Sequence, residues 1–171
     1  MNPFQYTRAE DVGTATKSVA SEPTAAFLAG VPLGQFYISY GDDPAKENVL
    51  ERGEFITAVD VPHSPMAAKS HYLKVRDRAS YEFAMTSAAV AIDFGATIKN
   101  VRVVLGGVGT KSWRSTEAEA ALVGRPPADA VFEAAADAAL AAAKPHKDNA
   151  FKVELSRPTL VPALQTVNKS G

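Results

Sequence analysis

From Gly53 onward the apolar and polar positions fall into regular runs. In EFITAVDVP, Phe55, Val59 and Val61 lie on one side and Ile56, Ala58 and Asp60 on the other. SHYLKVR alternates again, with Leu73 and Val75 facing one way and Tyr72, Lys74 and Arg76 the other. A period of two marks a half-buried strand. AMTSAAVAIDF and TIKNVRVVLGG are two further strand candidates, joined by Gly95-Ala96. So short a connection favours an antiparallel hairpin. The expected strands are 54–61, 70–76, 84–94 and 98–106.

After Ser115 the period becomes helical. STEAEAALVG reads as a short helix with Ser115 or Thr116 as its cap and Gly124 as its stop. Pro127 can open a second helix, because its missing N–H is no loss in a first turn. That helix carries Phe132, Ala136 and Leu140 on one face and ends before Pro145. A last helix starts near Asn149, with Phe151 and Leu155, and Pro158 is expected to bend or break it at Ser156 or Arg157. Upstream, Phe4 to Ala29 reads as strand, helix (Ala9 to Ser21) and strand (AAFLAG), and Val31 to Gly53 is turn-rich. Strands first and helices afterwards define an α+β fold: an antiparallel sheet of three to four strands with C-terminal helices packed on one face.

Composition narrows the function classes. The 171 residues allow one good core with a small appendage, and the net charge of −1 gives no reason to expect nucleic acid or an anionic membrane as partner. No apolar run approaches the roughly 20 residues that cross a bilayer, and MNPFQYTRAED lacks the layout of a signal peptide, so the expected location is cytoplasmic. With zero cysteines, disulfides, thiolate nucleophiles and iron–sulfur ligation by this chain are excluded. His63, His71 and His146 are scattered without ligand spacing, so no metal site is expected. GGVGTKS at 106–112 has Thr110 where a phosphate-binding loop has glycine before its lysine, and reads as a strand end running into a turn.

One strip needs a separate account. In YLKVRDRASYEFA, five of the nine residues from Lys74 to Glu82 are charged, between two apolar strands. Lys74 points away from the Leu73–Val75 face, so its ammonium is available to a partner. The plain alternative is that Lys74, Arg76, Asp77, Arg78 and Glu82 form a solvated ion-pair edge that contributes little to stability.

GEFITAVDVP, SHYLKVRDRASYEFAMTSAAVAID, LGGVGTKSWRSTEAEAALVG and NAFKVEL together resemble the C-terminal domain of the FAD-binding subunits of molybdenum hydroxylases. That family includes the flavin subunits of xanthine dehydrogenase, aldehyde oxidoreductase and carbon monoxide dehydrogenase. The resemblance runs from about Gln35 to Val167, and the opening MNPFQYTRAEDVGTATKSVASEPTAAFLAG resembles the start of the same subunit. It implies a C-terminal domain over 54–171, and a remnant of the FAD-binding domain with a linker over 1–53. Where the family has a glycine-rich turn whose N–H groups hold the FAD pyrophosphate, Ala29-Gly30 is followed here by Val31-Pro32. A second phosphate loop of the family has no counterpart.

The resemblance implies a truncated flavoprotein subunit. In the intact family, electrons from a molybdenum centre pass through iron–sulfur clusters to FAD and on to an acceptor. Its partners are then an iron–sulfur subunit and a molybdopterin subunit. Matching the strands by position puts Ile56 at an apolar flavin contact, and Lys74 at a lysine close to the cofactor. A docking module or a deletion remnant without FAD is the alternative.

Overall fold

Three of the four alternating runs pair into one antiparallel sheet. The computed structural model describes residues 31–38 and 45–169. The expected elements from Phe4 to Ala29 lie outside that range. The chain divides into two compact units, Met1–Val61 and Pro62–Gly171. In the first, a single helical turn α1 (Leu33–Phe36) starts at Pro32, whose carbonyl accepts from the N–H groups of Gln35 and Phe36. Tyr37 bridges to Asn48 beyond it.

The second unit holds the sheet. After a 3-10 turn at Pro65–Lys69, strands β1 (Ser70–Val75), β2 (Thr86–Phe94), β3 (Ile98–Gly106) and β4 (Trp113–Arg114) lie in the order β1-β2-β3-β4. The β2–β3 pair is antiparallel, as the short Gly95-Ala96 connection requires. The fourth strand is not the expected one. Residues 54–61 form no strand, although they alternate, and Phe55, Ile56, Val59 and Val61 are exposed. Alternation favours a strand only where a neighbouring strand and a core receive it, and among the described residues no strand pairs with 54–61. Trp113 and Arg114 supply the fourth strand, opposite Leu105 and Val104.

One face of the hairpin is the core. Ala88, Val90 and Ile92 of β2 and Val101, Val103 and Leu105 of β3 are all buried. Helices α2 (Thr116–Leu122), α3 (Asp129–Leu140) and α4 (Phe151–Lys169) cover them: α4 packs on β1 and β2, α2 on β3, and α3 against both α2 and α4. Ser115 caps α2 by accepting from Ala118 N–H, and Gly124 ends it in the left-handed region at φ 79°. Its N–H then donates to Ile98 O, which ties the end of α2 to the start of β3. Helix α3 begins at Asp129, two residues after Pro127, and buries Phe132, Ala135 and Ala136. Arg157 of α4 bonds Asp137 of α3 at 2.7 Å, and Gln165 bonds Asp129 at 2.8 Å, so the two helices run antiparallel.

Of the bend or break expected at Pro158, the break does not occur. Helix α4 is one element of 19 residues with Pro158 and Pro162 inside it. Both prolines are exposed, as are Glu154 and Pro158, whose carbonyls lose their N–H donors, so water can take those acceptor positions. The opposite face buries Ser156, Thr159, Leu160, Ala163, Leu164 and Val167. Two interior prolines cost about 6 kcal/mol together. Burying two leucines and a valine contributes a comparable ~5–8 kcal/mol. Tertiary packing on the sheet therefore offsets the local penalty.

The short β4 strand is fixed by Glu119, a carboxylate only 8% exposed. Its Oε1 accepts from Val103 N–H (3.2 Å) and Arg114 Nε (2.9 Å), its Oε2 from Arg114 Nη2 (2.8 Å), and Arg102 Nη1 lies 3.9 Å away. Burial pushes this carboxyl up. The Arg114 hydrogen bond, the Val103 N–H and the two arginine charges outweigh it and hold the group below its ordinary value. A carboxyl lowered in the folded state stabilises the fold above its unfolded value and loses that contribution as the pH falls through the folded one. Glu119→Gln is expected to cost about 1–3 kcal/mol at pH 7. The gap to the parent protein should narrow as the pH drops below about 4.3. Urea unfolding at a series of pH values checks this; a gap that stays constant to pH 3 would exclude the charge as the cause.

Candidate functional site: the Lys74 strip

Strand β1 alternates as its sequence requires, with His71, Leu73 and Val75 half-buried and Ser70, Tyr72 and Lys74 exposed. Register places Lys74 opposite Ser87, and Ser87 opposite Gly106, so these three form one row across the sheet. Residues 76–85 close the hairpin between β1 and β2, and Met85 N–H donates to Val75 O at its base (2.9 Å).

The strip is not an ion-pair edge. Three of its five charged side chains, Lys74, Arg78 and Glu82, bond to backbone instead. Lys74 Nζ donates to Glu82 O at 2.6 Å, Arg78 Nη2 donates to Tyr81 O, and the Glu82 carboxylate accepts from Arg78 N–H at 3.0 Å. These bonds hold Tyr81 at φ 55°, the one positive φ of a non-glycine among the described residues. That conformation costs roughly 1–2 kcal/mol in an L-residue. The loop presents two rings to solvent, Tyr81 and Phe83, each 95% exposed.

Behind the strip, the Gly106-Gly107 turn sits against the chain at Ala84 and Met85. Ser87 Oγ occupies the place where a Gly106 side chain would lie. Gly107 has φ 75°, and a Cβ there would meet Met85 O at 2.9 Å and Ala84 O at 3.1 Å. GGVGTKS is thus a strand end and a bend, as its sequence indicated. It packs on carbonyl oxygens, which repel phosphate.

Of the two residues singled out by the sequence, Lys74 stands on the outward face of β1, and Ile56 lies in the other compact unit, 49% exposed on a segment without regular structure. Sequence reasoning missed Lys152. Its Nζ donates to Met85 O (3.2 Å) and Gly107 O (2.8 Å), across 67 and 45 residues of chain. A lone cation in the first turn of a helix carries no local signal for so distant a contact. Among the described residues no group of three His, Asp or Glu is placed to hold a metal ion, and no helix is long and apolar enough to cross a membrane.

The sheet, the strip and the helices from β1 to α4 are the CO dehydrogenase flavoprotein C-terminal domain, which matches residues 71–167, and the chain belongs to that family. The aldehyde oxidoreductase FAD-binding subunit PaoB of Escherichia coli (strain K12) is 41% identical over 134 residues, which are 78% of this chain and 39% of that protein. The chain therefore spans well under half the length of this relative. A carbon monoxide dehydrogenase from Hydrogenophaga pseudoflava, in a form that lacks the Mo-pyranopterin moiety of the molybdenum cofactor, matches with a TM-score of 0.66 at 26% identity. That match covers 80% of this chain and 47% of that one. Quinoline 2-oxidoreductase from Pseudomonas putida 86 gives 0.70 at 18% identity over the same shares, a likeness of fold.

A flavin dinucleotide fits these residues only in part. Lys74 keeps two ammonium protons beyond the one given to Glu82 O, enough for an acceptor on a ring edge. The diphosphate needs convergent N–H donors. Pro32 has none, and its carbonyl faces its own helical turn. The Gly106-Gly107 turn is backed by carbonyls.

The crowding at Gly107 gives a direct test of this geometry. Gly107→Ala is expected to cost about 2–4 kcal/mol, from the left-handed backbone and the collision with Met85 O together. Gly124→Ala has the same backbone strain at φ 79° but nothing within 4 Å of its Cβ. It should cost only about 1 kcal/mol. Denaturant unfolding of both variants decides; equal costs would mean that the Gly106-Gly107 turn is not packed against Ala84 and Met85.

Proposed function

We propose that this chain is a flavoprotein-subunit module of a molybdenum hydroxylase, presenting the Lys74 strip to an FAD whose diphosphate is held by other protein groups. The observation that carries this reading is that the family match takes in the whole strip and the helix that backs it. Ile56 and Lys74 are the flavin contacts within it, one apolar and one cationic, and residues 1–53 are the remnant of a nucleotide-binding domain. FAD supplies the redox chemistry when bound; protein groups bind it and tune it. The partners are an iron–sulfur subunit and a molybdopterin subunit, and the chain stands on the electron path to the final acceptor.

A second reading, a docking module without cofactor, is favoured by one observation: the cation of the strip already has a backbone acceptor, Glu82 O.

The isolated chain is expected to bind FAD weakly or not at all. One apolar contact and one ammonium do not offset the cost of immobilising the ligand, at least about 4 kcal/mol. Titration followed by calorimetry or flavin fluorescence is the test. A micromolar or tighter constant for the chain alone would sink this reading, and Lys74→Ala would then show whether Lys74 is responsible. Co-expression with an iron–sulfur subunit separates the two functions. Flavin fluorescence released when the purified complex is denatured supports the first, and a stable complex that releases no flavin the second.

A further inference from the structure

We propose that Lys152 is the positioning residue of the Lys74 strip: from the first turn of α4 it fixes where the strip leaves the sheet. Its functional meaning rests on the reading of the strip as a flavin-facing edge; the geometry does not.

Lys152 Nζ donates to two carbonyls, Met85 O and Gly107 O. Met85 is the residue at which the strip rejoins β2, and its N–H closes the hairpin on Val75 O. Gly107 is the residue whose turn lies against Ala84 and Met85, too close for any side chain. One ammonium therefore holds both layers of backbone under the strip. A turn further along α4, Ser156 donates to Lys152 O, so the Thr86 hydroxyl, 3.1 Å away, is the donor to Ser156 Oγ. Both Thr86 and Ser156 are fully buried. Residues 85 and 86 are thus attached to residues 152 and 156, in register, on one face of α4.

The strip itself has no apolar anchor. Tyr81 and Phe83 are exposed, and its internal bonds run from Lys74 and Arg78 to backbone atoms of residues 81 and 82. Such a loop keeps its shape but takes its direction from its base. Because two carbonyls share one cation, losing that cation frees both layers together. A methionine of similar length would fill the space and donate nothing. An arginine could restore both bonds through its planar donors.

The experiment is amide hydrogen exchange by NMR on the intact chain, on Lys152→Met and on Lys152→Arg. The methionine variant should exchange about tenfold faster or more at Met85 and Arg78, the loss expected for charge-assisted hydrogen bonds. Val90 and Val103, in the middle of the sheet, should be unchanged, and Lys152→Arg should restore most of the protection. A parallel rise at Val90 and Val103 would show that Lys152 only stabilises the fold, and no change at Met85 would show that it does not hold the base. Either result overturns the proposal. FAD titration of the same proteins, each with the iron–sulfur subunit, reports separately on the flavin reading. Absence of FAD from all three complexes defeats that reading and leaves the exchange result standing. A flavin affinity that falls in Lys152→Met and returns in Lys152→Arg joins the two.

Discussion

Ala88, Val90 and Ile92 on β2 and Val101, Val103 and Leu105 on β3 point to the same side of a two-strand ribbon. A ribbon with that face in water is at best marginal, so its existence requires a cover. The cover must also cross β1, whose Leu73 and Val75 are only half-buried and which is the edge of the sheet among the described residues. Helix α4 meets that requirement, and its shape follows from it. Its buried face runs from Ser156 to Val167, while its outer face tolerates two prolines that would break a helix standing alone. The helix is held by what it covers.

The other side of the sheet obeys a different constraint. It carries small residues on β2, with Ser87, Ala89 and Ala91 in a row along the strand, and Tyr72, Lys74 and Arg102 are among their partners on the flanking strands. On the helix-covered side, polar attachments add to burial in setting the geometry. Glu119 fastens β4 and α2 to β3 through one carboxylate with three hydrogen bonds. Lys152 and Ser156 fasten α4 to the start of β2 and the end of β3. These contacts are few, and each joins segments far apart in the chain.

Much of this was legible in the sequence, and the boundary of legibility has a physical cause. The β2–β3 hairpin, the Ser115 cap, the Gly124 stop and the Phe132–Ala136 face rest on local rules of period and capping, and all appear. Residues 54–61 alternate as cleanly as β1 yet form no strand, because alternation states a preference for a pleated surface without supplying a neighbour. Pro158 illustrates the reverse, a correct local penalty outweighed by packing that local rules do not contain. At the candidate site, the outward direction of Lys74 follows from period two. Its bond to Glu82 O, eight residues away, and the clamp from Lys152 depend on the path of the loop and of α4, which no spacing in the sequence encodes.

The chemistry available at the strip follows from which backbone groups gather there. Tyr81 O, Glu82 O, Met85 O and Gly107 O are all carbonyls, and each is met by a cation, from Arg78, Lys74 or Lys152. Such an end of a sheet is rich in acceptors whose charge is already compensated. A diphosphate brought to it would compete with four carbonyls for the same three cations. A neutral ring edge makes no such demand, because Lys74 can share a proton that Glu82 O does not use. Under the proposed reading this asymmetry explains how a chain can keep the ring-facing half of a cofactor site without the phosphate-facing half: the two halves ask for opposite backbone polarity, and this surface is built for only one of them.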